Sequence, residues 1–271
     1  MMRALYTAAT GMIAEQTNVD TIAHNLSNVN TNGYKTERTE FKSLLYQTLQ
    51  TKTTTANGEQ KPIGAQVGLG VRVAATTSMY TQGAMLASES DTDFALDGDG
   101  FFTVRGADGE TYYTRNGNFN WSLDVNGRTF LADVEGCPVL DRNGNAIYVP
   151  EGISTQSMRF NPDGSIGYEE NNSEFVSLDQ TFGIYQFNNP AGLDKLASSR
   201  LQETAASGQP ILEGTNNTKA SKVCQKYLEG SNVQVADEMV NMIIAQRAYQ
   251  MNSKAITTAD SMLEIANNLK R

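Results

Sequence analysis

Near the C-terminus the apolar residues recur with a period that serves a helix covered along its length by another helix. Ile244, Ala248, Met251, Ala255, Thr258, Met262, Ile265 and Leu269 are spaced alternately four and three apart, and Thr258 is the only polar member. That heptad seam predicts a helix over 231–269 whose stripe needs a covering helix from a distant part of the chain or from another chain. Ser231-Asn232-Val233-Gln234 has the order of a capping box, with the Ser231 hydroxyl accepting from the Gln234 amide and the Gln234 side chain reaching back. Asp237 and Glu238 follow in the first two turns, where the helix dipole favours negative charge.

The other end repeats the pattern. Met2, Leu5, Ala9, Met12, Gln16, Val19, Ala23 and Leu26 keep the same three-and-four spacing, and Tyr6, Ile13, Ile22 and Val29 widen the stripe as in a helix with more than one neighbour. The two seams are matched candidates for one another, and Ala9 and Ala23 facing Ala248 and Ala255 would let the backbones approach closely. Periodicity alone also fits two core helices of an ordinary domain, but chain ends fray unless something docks them. The first helix is expected to stop near Asn30, where Asn28, Asn30, Asn32 and Gly33 tolerate left-handed backbone angles. Phe41, Leu44, Leu45 and Leu49 then suggest a short helical or extended segment. Residues 51–70 are rich in Thr and Gly and too poor in apolar groups to order alone, which predicts a flexible linker in a monomer or an extended arm in an assembly.

The middle, roughly 71–204, reads as antiparallel β. Phe101–Val104, Thr111–Thr114, Phe119–Leu123, Arg128–Leu131 and Gly183–Phe187 are aromatic and β-branched runs. Among them fall Asp108-Gly109, Asn116-Gly117, Asn126-Gly127, Asn143-Gly144 and Asp163-Gly164, dipeptides suited to tight hairpins. Asn188-Asn189-Pro190 and Gly208-Gln209-Pro210 mark loops returning toward the last helix. The expected fold class is α+β: long N- and C-terminal helices pairing as a coiled-coil-like domain, a central antiparallel β-rich domain and an extended connecting region.

A net charge of -9 argues against nucleic-acid binding, which draws its affinity from Lys and Arg. A mean hydropathy of -0.42 indicates extensive polar or partner-facing surface. Cys137 and Cys224 lack a C-x-x-C arrangement, so they offer no metal framework, and they are either isolated thiols or one pair. Arg3 followed by Ala4–Ala14 is a poor secretory signal because Thr7, Thr10 and Gly11 interrupt it, and no window reaches the roughly 18 to 20 apolar residues of a membrane span. The single histidine, His24, sits on the packing helix, which disfavours a Ser-His or Cys-His device. Asp91, Asp93, Asp97 and Asp99 lack calcium-loop spacing, and Asp97-Gly98-Asp99-Gly100 lacks the Lys-Ser/Thr of a phosphate loop. No catalytic residue, metal or cofactor is expected, and a structural subunit is favoured over an enzyme.

The segment Asn25-Leu26-Ser27-Asn28-Val29-Asn30-Thr31-Asn32-Gly33-Tyr34-Lys35 closely resembles the N-terminal signature of the bacterial flagellar rod and hook family. Gln82-Gly83, Gly98-Asp99-Gly100-Phe101-Phe102, Tyr113-Thr114-Arg115-Asn116-Gly117, Glu229-Gly230-Ser231-Asn232-Val233 and Met242–Tyr249 agree in the same order, so the resemblance spans nearly the whole chain. It is strongest to the distal-rod branch, whose members also carry a Gly/Thr-rich insert after Leu44-Leu45-Tyr46; a proximal-rod or hook paralogue is the alternative. His24 and Gly230 depart from the usual residues.

The resemblance implies an axial protein built of a terminal-helix domain (1–35 and 231–271), a connecting region (36–83), a β-rich domain (84–204) and a return connector (205–230). It implies helical self-assembly into a hollow drive shaft, with other rod subunits, hook or hook-junction proteins, the export apparatus and bushing rings as partners. No nucleic acid and no membrane insertion are implied. Delivery is to the extracytoplasmic basal body without a cleaved signal. Leu5, Met12, Val19, Leu26, Ile244, Ala248, Met251, Ala255, Met262, Ile265 and Leu269 are then assembly residues. Asn25, Asn28, Thr31, Gly33, Tyr34, Lys35, Ser231, Asn232, Val233, Gln246, Arg247 and Tyr249 carry the family motif, with Asn28, Gly33 and Tyr34 at the helix-to-connector turn and Gln246, Arg247 and Tyr249 between helices. The rival of another class is a secreted glycan-binding or hydrolytic β domain with oligomerisation helices, using Trp121 and Tyr112 as a stacking platform beside Asp124. A hydrolase needs two facing carboxylates, and no spacing here selects such a pair.

Overall fold

The computed structural model describes residues 2–50, 64–169, 175–215 and 219–269. The stretch expected to be linker or arm, 51–70, therefore lies outside the described residues over 51–63. The chain divides into two units, one of Met1–Ser27, Glu37–Ser78 and Gln234–Arg271, the other of Asn28–Thr36 and Met79–Val233.

The first unit holds both long helices, α1 (Met2–Ser27) and α2 (Val235–Asn268), with strands β1 (Glu37–Ser43), β2 (Tyr46–Gln50), β3 (Ala65–Gly68) and β4 (Val71–Ser78). β1 pairs antiparallel with β4, from Glu37 opposite Ser78 to Ser43 opposite Val71, with an irregularity between Glu40 and Phe41; β2 pairs with β3. Phe41, Leu45 and Leu49 thus lie in or beside extended chain, and all three are exposed.

α1 presents two working faces. One meets β1 and β4 through small hydroxyls: Thr39 donates to the Thr21 hydroxyl at 2.9 Å, and the Val71 amide donates to the Thr10 hydroxyl at 3.4 Å. The other meets α2, which runs antiparallel to it: Asn25 bonds Glu238, Gly11 abuts Asn252, and Ala4 shares a groove with Ala259. The line of α2 toward α1 is therefore Glu238, Ala245, Asn252 and Ala259, spaced by sevens, with Ala245 and Ala259 buried. It is a line of small and polar residues lying beside the apolar seam. Of the alanines expected in the facing seams, Ala23 and Ala255 are exposed and Ala9 and Ala248 half-buried.

Two boundaries differ from expectation. α1 ends at Ser27, before the Asn cluster, with Thr31 N donating to Asn28 O as the turn begins. α2 begins at Val235 after Gln234, which makes no side-chain capping bond, so the capping box at Ser231 does not form. The Ser231 hydroxyl instead accepts from Val233 N at 3.2 Å. Asp237 and Glu238 do occupy the first turn.

The second unit is antiparallel β, in short strands numbered onward: β5 (Met85–Ala87), β6 (Phe94–Asp97), β7 (Phe101–Arg105), β8 (Thr111–Thr114), β9 (Asn120–Leu123), β10 (Thr129–Ala132), β11 (Met158–Phe160), β12 (Ser165–Glu169), β13 (Phe175–Thr181), β14 (Ile184–Gln186), β15 (Asp194–Lys195), β16 (Arg200–Gln202), β17 (Ile211–Leu212), β18 (Lys222–Gln225) and β19 (Tyr227–Glu229). Among the described residues the largest sheet runs β15-β16-β8-β7-β14-β17, and β18 and β19 return to pair with β6 and β5. β7 is central because alternate side chains fill both sides: Phe102 and Val104 enter a core with Phe94, Phe119, Leu131 and Ile166, while Phe101 joins Tyr113, Phe187 and Leu201. The expected hairpin glycines Gly109, Gly127, Gly144 and Gly164 have positive φ. Gly117 does not; a Cβ there would fall 1.7 Å from the Phe94 carbonyl oxygen, so close strand approach, not a turn, selects glycine.

Candidate assembly surface and the motif junction

The predicted assembly residues divide by helix. On α1, Leu5, Met12, Val19 and Leu26 are partly covered, while Met2, Tyr6 and Ile13 are exposed. On α2 the seam faces outward: Ile244 is 61 % exposed, Met251 67 %, Met262 54 %, Ile265 61 % and Leu269 83 %. Ala248 is partly covered and Ala255 exposed. Gln246, Arg247 and Tyr249 are also exposed, and Gln246 and Tyr249 line a shallow groove with Gln16 and Val19 of α1. Isolated exposed apolar residues need no explanation, but a continuous row along one helix marks an interaction surface.

The remaining motif residues gather around two asparagine side chains, one in each unit, Asn25 buried and Asn232 half-buried. Asn25 is 1 % exposed because α1 turns it under the start of β1. Its amide donates to Glu37 O at 2.8 Å and to Glu238 Oε2 at 3.3 Å, and its Oδ1 accepts from Glu37 N at 2.8 Å. It thus satisfies both backbone groups of Glu37 as a paired strand would, and also holds the first turn of α2. Within the other unit, Asn232 Oδ1 accepts from the amide and hydroxyl of Thr36 at 2.7 Å each, while its amide donates to Met79 O at 2.8 Å, Thr81 O at 3.1 Å and Thr81 Oγ1 at 2.8 Å.

Lys35 lies beside this second cluster, in a buried charge group that hydropathy patterning does not predict. Its Nζ donates to Glu229 Oε1 at 2.6 Å and to Thr81 O at 2.8 Å. Glu229 is 1 % exposed and also accepts from Gly83 N at 2.9 Å. Arg115 Nε stands 3.2 Å from Glu229 Oε2, an ion pair without hydrogen-bond alignment, and its outer nitrogens donate to Gly100 O at 2.6 Å and Gly98 O at 2.8 Å. Burial lowers the pKa of both Lys35 and Arg115, against the opposing pull of Glu229. Gly33 closes the group: its amide donates to Glu229 O at 2.8 Å, its φ is +70°, and a Cβ there would fall 2.7 Å from the Arg115 carbonyl carbon. Only glycine fits that backbone and that gap.

Asn28 accepts from the Thr31 hydroxyl at 3.1 Å, and Tyr34 N donates to Thr31 O at 3.3 Å, which shapes the turn after α1. Val233 is buried. Arg115, Glu229, Glu238, Asn252, Thr21 and Thr39 do structural work that sequence reasoning did not assign to them. The one available signal was that Arg115 and Glu229 lie within the motif segments Tyr113-Thr114-Arg115-Asn116-Gly117 and Glu229-Gly230-Ser231-Asn232-Val233. Of the rival glycan platform, Tyr112 belongs to the main core, with its hydroxyl donating to Asp108 Oδ2 at 2.5 Å, and Trp121 packs against that core. No metal-ligand cluster occurs among the described residues, and none of their helices is long and apolar enough to cross a membrane.

Three family matches lie along the chain: residues 5–35 to "Flagella basal body rod protein", 95–168 to "Flagellar hook protein FlgE/F/G D1 domain" and 225–269 to "Flagellar basal body rod FlgEFG protein C-terminal". The first and last contain most of the motif residues gathered above. The chain is 45 % identical to the flagellar basal-body rod protein FlgG of Borreliella burgdorferi over 273 residues, covering 100 % of both chains. It is 42 % identical to FlgG of Agrobacterium fabrum, covering 99 % of this chain and 100 % of that one, and 30 % identical to the flagellar hook-basal body complex protein FlhP of Bacillus subtilis over 100 % of both. The protein belongs to the flagellar basal-body rod family, as a structural subunit of the FlgG, distal-rod type, not an enzyme.

Proposed function

We propose that this chain polymerises helically into the hollow shaft of the flagellar rod and so carries motor torque to the hook. The supporting observation is the uncovered apolar row of α2, Ile244, Met251, Met262, Ile265 and Leu269. Covering an Ile, Leu or Met side chain is worth about 1.5–3 kcal/mol, so several such residues per subunit offset the ordering cost once neighbours are present. α1 leaves a second, different row open at Met2, Tyr6 and Ile13. Contact between unlike faces of successive copies is head-to-tail, and where the rotation from copy to copy does not close a ring it builds a filament.

In this reading the outward heptad residues of α2 pair as coiled coils with helices of neighbouring subunits, while α1 and α2 of one subunit meet along the separate line Glu238, Ala245, Asn252 and Ala259. Residues 1–35 and 231–271 line the channel, and Gln246, Arg247 and Tyr249 contact neighbouring helices. The partners are further copies, other rod subunits, hook or hook-junction proteins, the export apparatus and bushing rings. The place is the extracytoplasmic part of the basal body, reached without a cleaved signal.

The test is electron microscopy of concentrated protein, comparing the natural chain with the double variant Met251→Asp, Ile265→Asp. Both positions are exposed in the monomer, so the variant should unfold at the same denaturant concentration and yet form no filaments or tubes. Filaments from the variant equal to those of the natural chain would refute the assignment.

A further inference from the structure

On the face of the large sheet that carries Tyr113 lies a cleft of about 510 Å³, within the roughly 300–1,000 Å³ of small-ligand sites. Arg105, Glu110, Tyr113, Tyr185, Gln202 and Glu203 contribute its chemistry. They arrive there by register: Thr103 pairs with Tyr113 and Arg105 with Thr111, so alternate residues of β7 and β8 point to this face, and Tyr185 sits opposite Phe101 on β14.

Tyr113 is the unusual member. It is 4 % exposed, its ring packs edge-on against Tyr185 at 6.0 Å and Phe187 at 4.8 Å, and no described group hydrogen-bonds its hydroxyl. The hydroxyl is not among the buried polar atoms left without a partner, so it opens on the cleft at the end of a rigidly packed ring, where a ligand can meet it. Burial, then Glu203 and Tyr185, raise its pKa, which keeps it a neutral donor and acceptor. The side chains of Glu110, Glu203 and Gln202 line the cleft and supply acceptors for ligand hydroxyls and amides. Arg105 is partly used, donating to Gly144 O at 2.5 Å.

Charge narrows the ligand. Glu110, Asp141 and Glu203 outnumber Arg105, which disfavours an anion, and the polar lining disfavours a lipid or apolar peptide. What remains is a ligand dense in hydroxyls with apolar C–H faces to lie against tyrosine rings. We infer that this cleft binds a short stretch of uncharged glycan, its hydroxyls donating to the Glu203 carboxylate and exchanging hydrogen bonds with the Tyr113 hydroxyl. The site is distinct from the Trp121 and Tyr112 platform, and it does not depend on the helices that drive assembly.

The experiment is saturation-transfer NMR on the full chain with chitotetraose and cellotetraose, and with a Gly/Ser/Asn pentapeptide as the competing occupant. Signal should transfer to a glycan and not to the peptide, and affinity should fall about tenfold or more in Tyr113→Phe and in Glu203→Gln. Asp124→Asn, outside the cleft, should bind as the natural chain does, and unchanged denaturant midpoints should show all three variants folded. Absence of transfer to either glycan at millimolar concentration, transfer only to the peptide, or equal binding by folded Tyr113→Phe and Glu203→Gln chains would overturn the inference.

Discussion

Glu229→Gln isolates the energetics of the motif junction. The carboxylate touches two cations, Lys35 at 2.6 Å and Arg115 at 3.2 Å, and the side chains of all three residues are no more than 5 % exposed. Glutamine keeps the shape and one acceptor oxygen for Gly83 N, but it leaves two buried positive charges without their counter-charge. Breaking a buried pair in this way costs about 3–5 kcal/mol, a large part of the roughly 5–15 kcal/mol that holds a domain together. Lys35→Met provides the internal comparison: it leaves Arg115 and Glu229 as a balanced pair, and Thr81 O keeps its bond from Asn232, so the loss should be nearer 1–2 kcal/mol. Urea unfolding followed by Trp121, the chain's single tryptophan and packed against the β core, reads the unit that contains the junction. A loss for Glu229→Gln below about 1 kcal/mol, or one smaller than that for Lys35→Met, would refute the reasoning from uncompensated buried charge.

Asn25→Ala should cost about 2–5 kcal/mol, because it orphans both the amide and the carbonyl of Glu37; hydrogen exchange at the Glu37 amide should accelerate, and unchanged protection there would count against the role. Alkaline titration should show the burial of Lys35. A cation whose folded pKa is depressed binds fewer protons folded than unfolded, so its contribution to stability rises with pH from that depressed pKa up to the unfolded value of 10.5. Tyr113, with its pKa raised by burial, opposes this above its unfolded value of 10.0, so the comparison belongs just below that pH. There the natural chain should gain stability relative to Lys35→Met as pH rises, and parallel curves would show that Lys35 does not titrate differently on folding.

Periodicity placed both helices, and hairpin dipeptides placed most of the turns, since these signals act within a few residues of chain. Which stripe of α2 meets α1 was not legible. The contact line Glu238, Ala245, Asn252, Ala259 is small and polar because Gly11 and Asn25 lie against it, and hydropathy assigns the seam to the more apolar line beside it. The start of α2 was misplaced for a related reason. Ser231-Asn232-Val233 has capping-box order, but Asn232 is committed to Thr36, Met79 and Thr81, so helical geometry begins only after it. Lys35, Arg115 and Glu229 escaped notice as a group because each reads as a surface residue when taken alone, and their mutual compensation appears only once distant segments meet.

The return of β18 and β19 to β6 and β5 also sets an order of events in time. Strands laid down early in the β unit find their partners only after the chain has passed residue 222, and the Lys35–Glu229 contact joins residues 194 apart. Contacts of such separation must wait for closure of a long loop, and a nascent chain cannot make them before its distal part has emerged. Until then the β6 and β5 edges stand open, and the incomplete chain is most exposed to mispairing. An unfinished molecule thus lacks the Lys35–Glu229 pair as well, and the β unit is completed only when its last strands arrive.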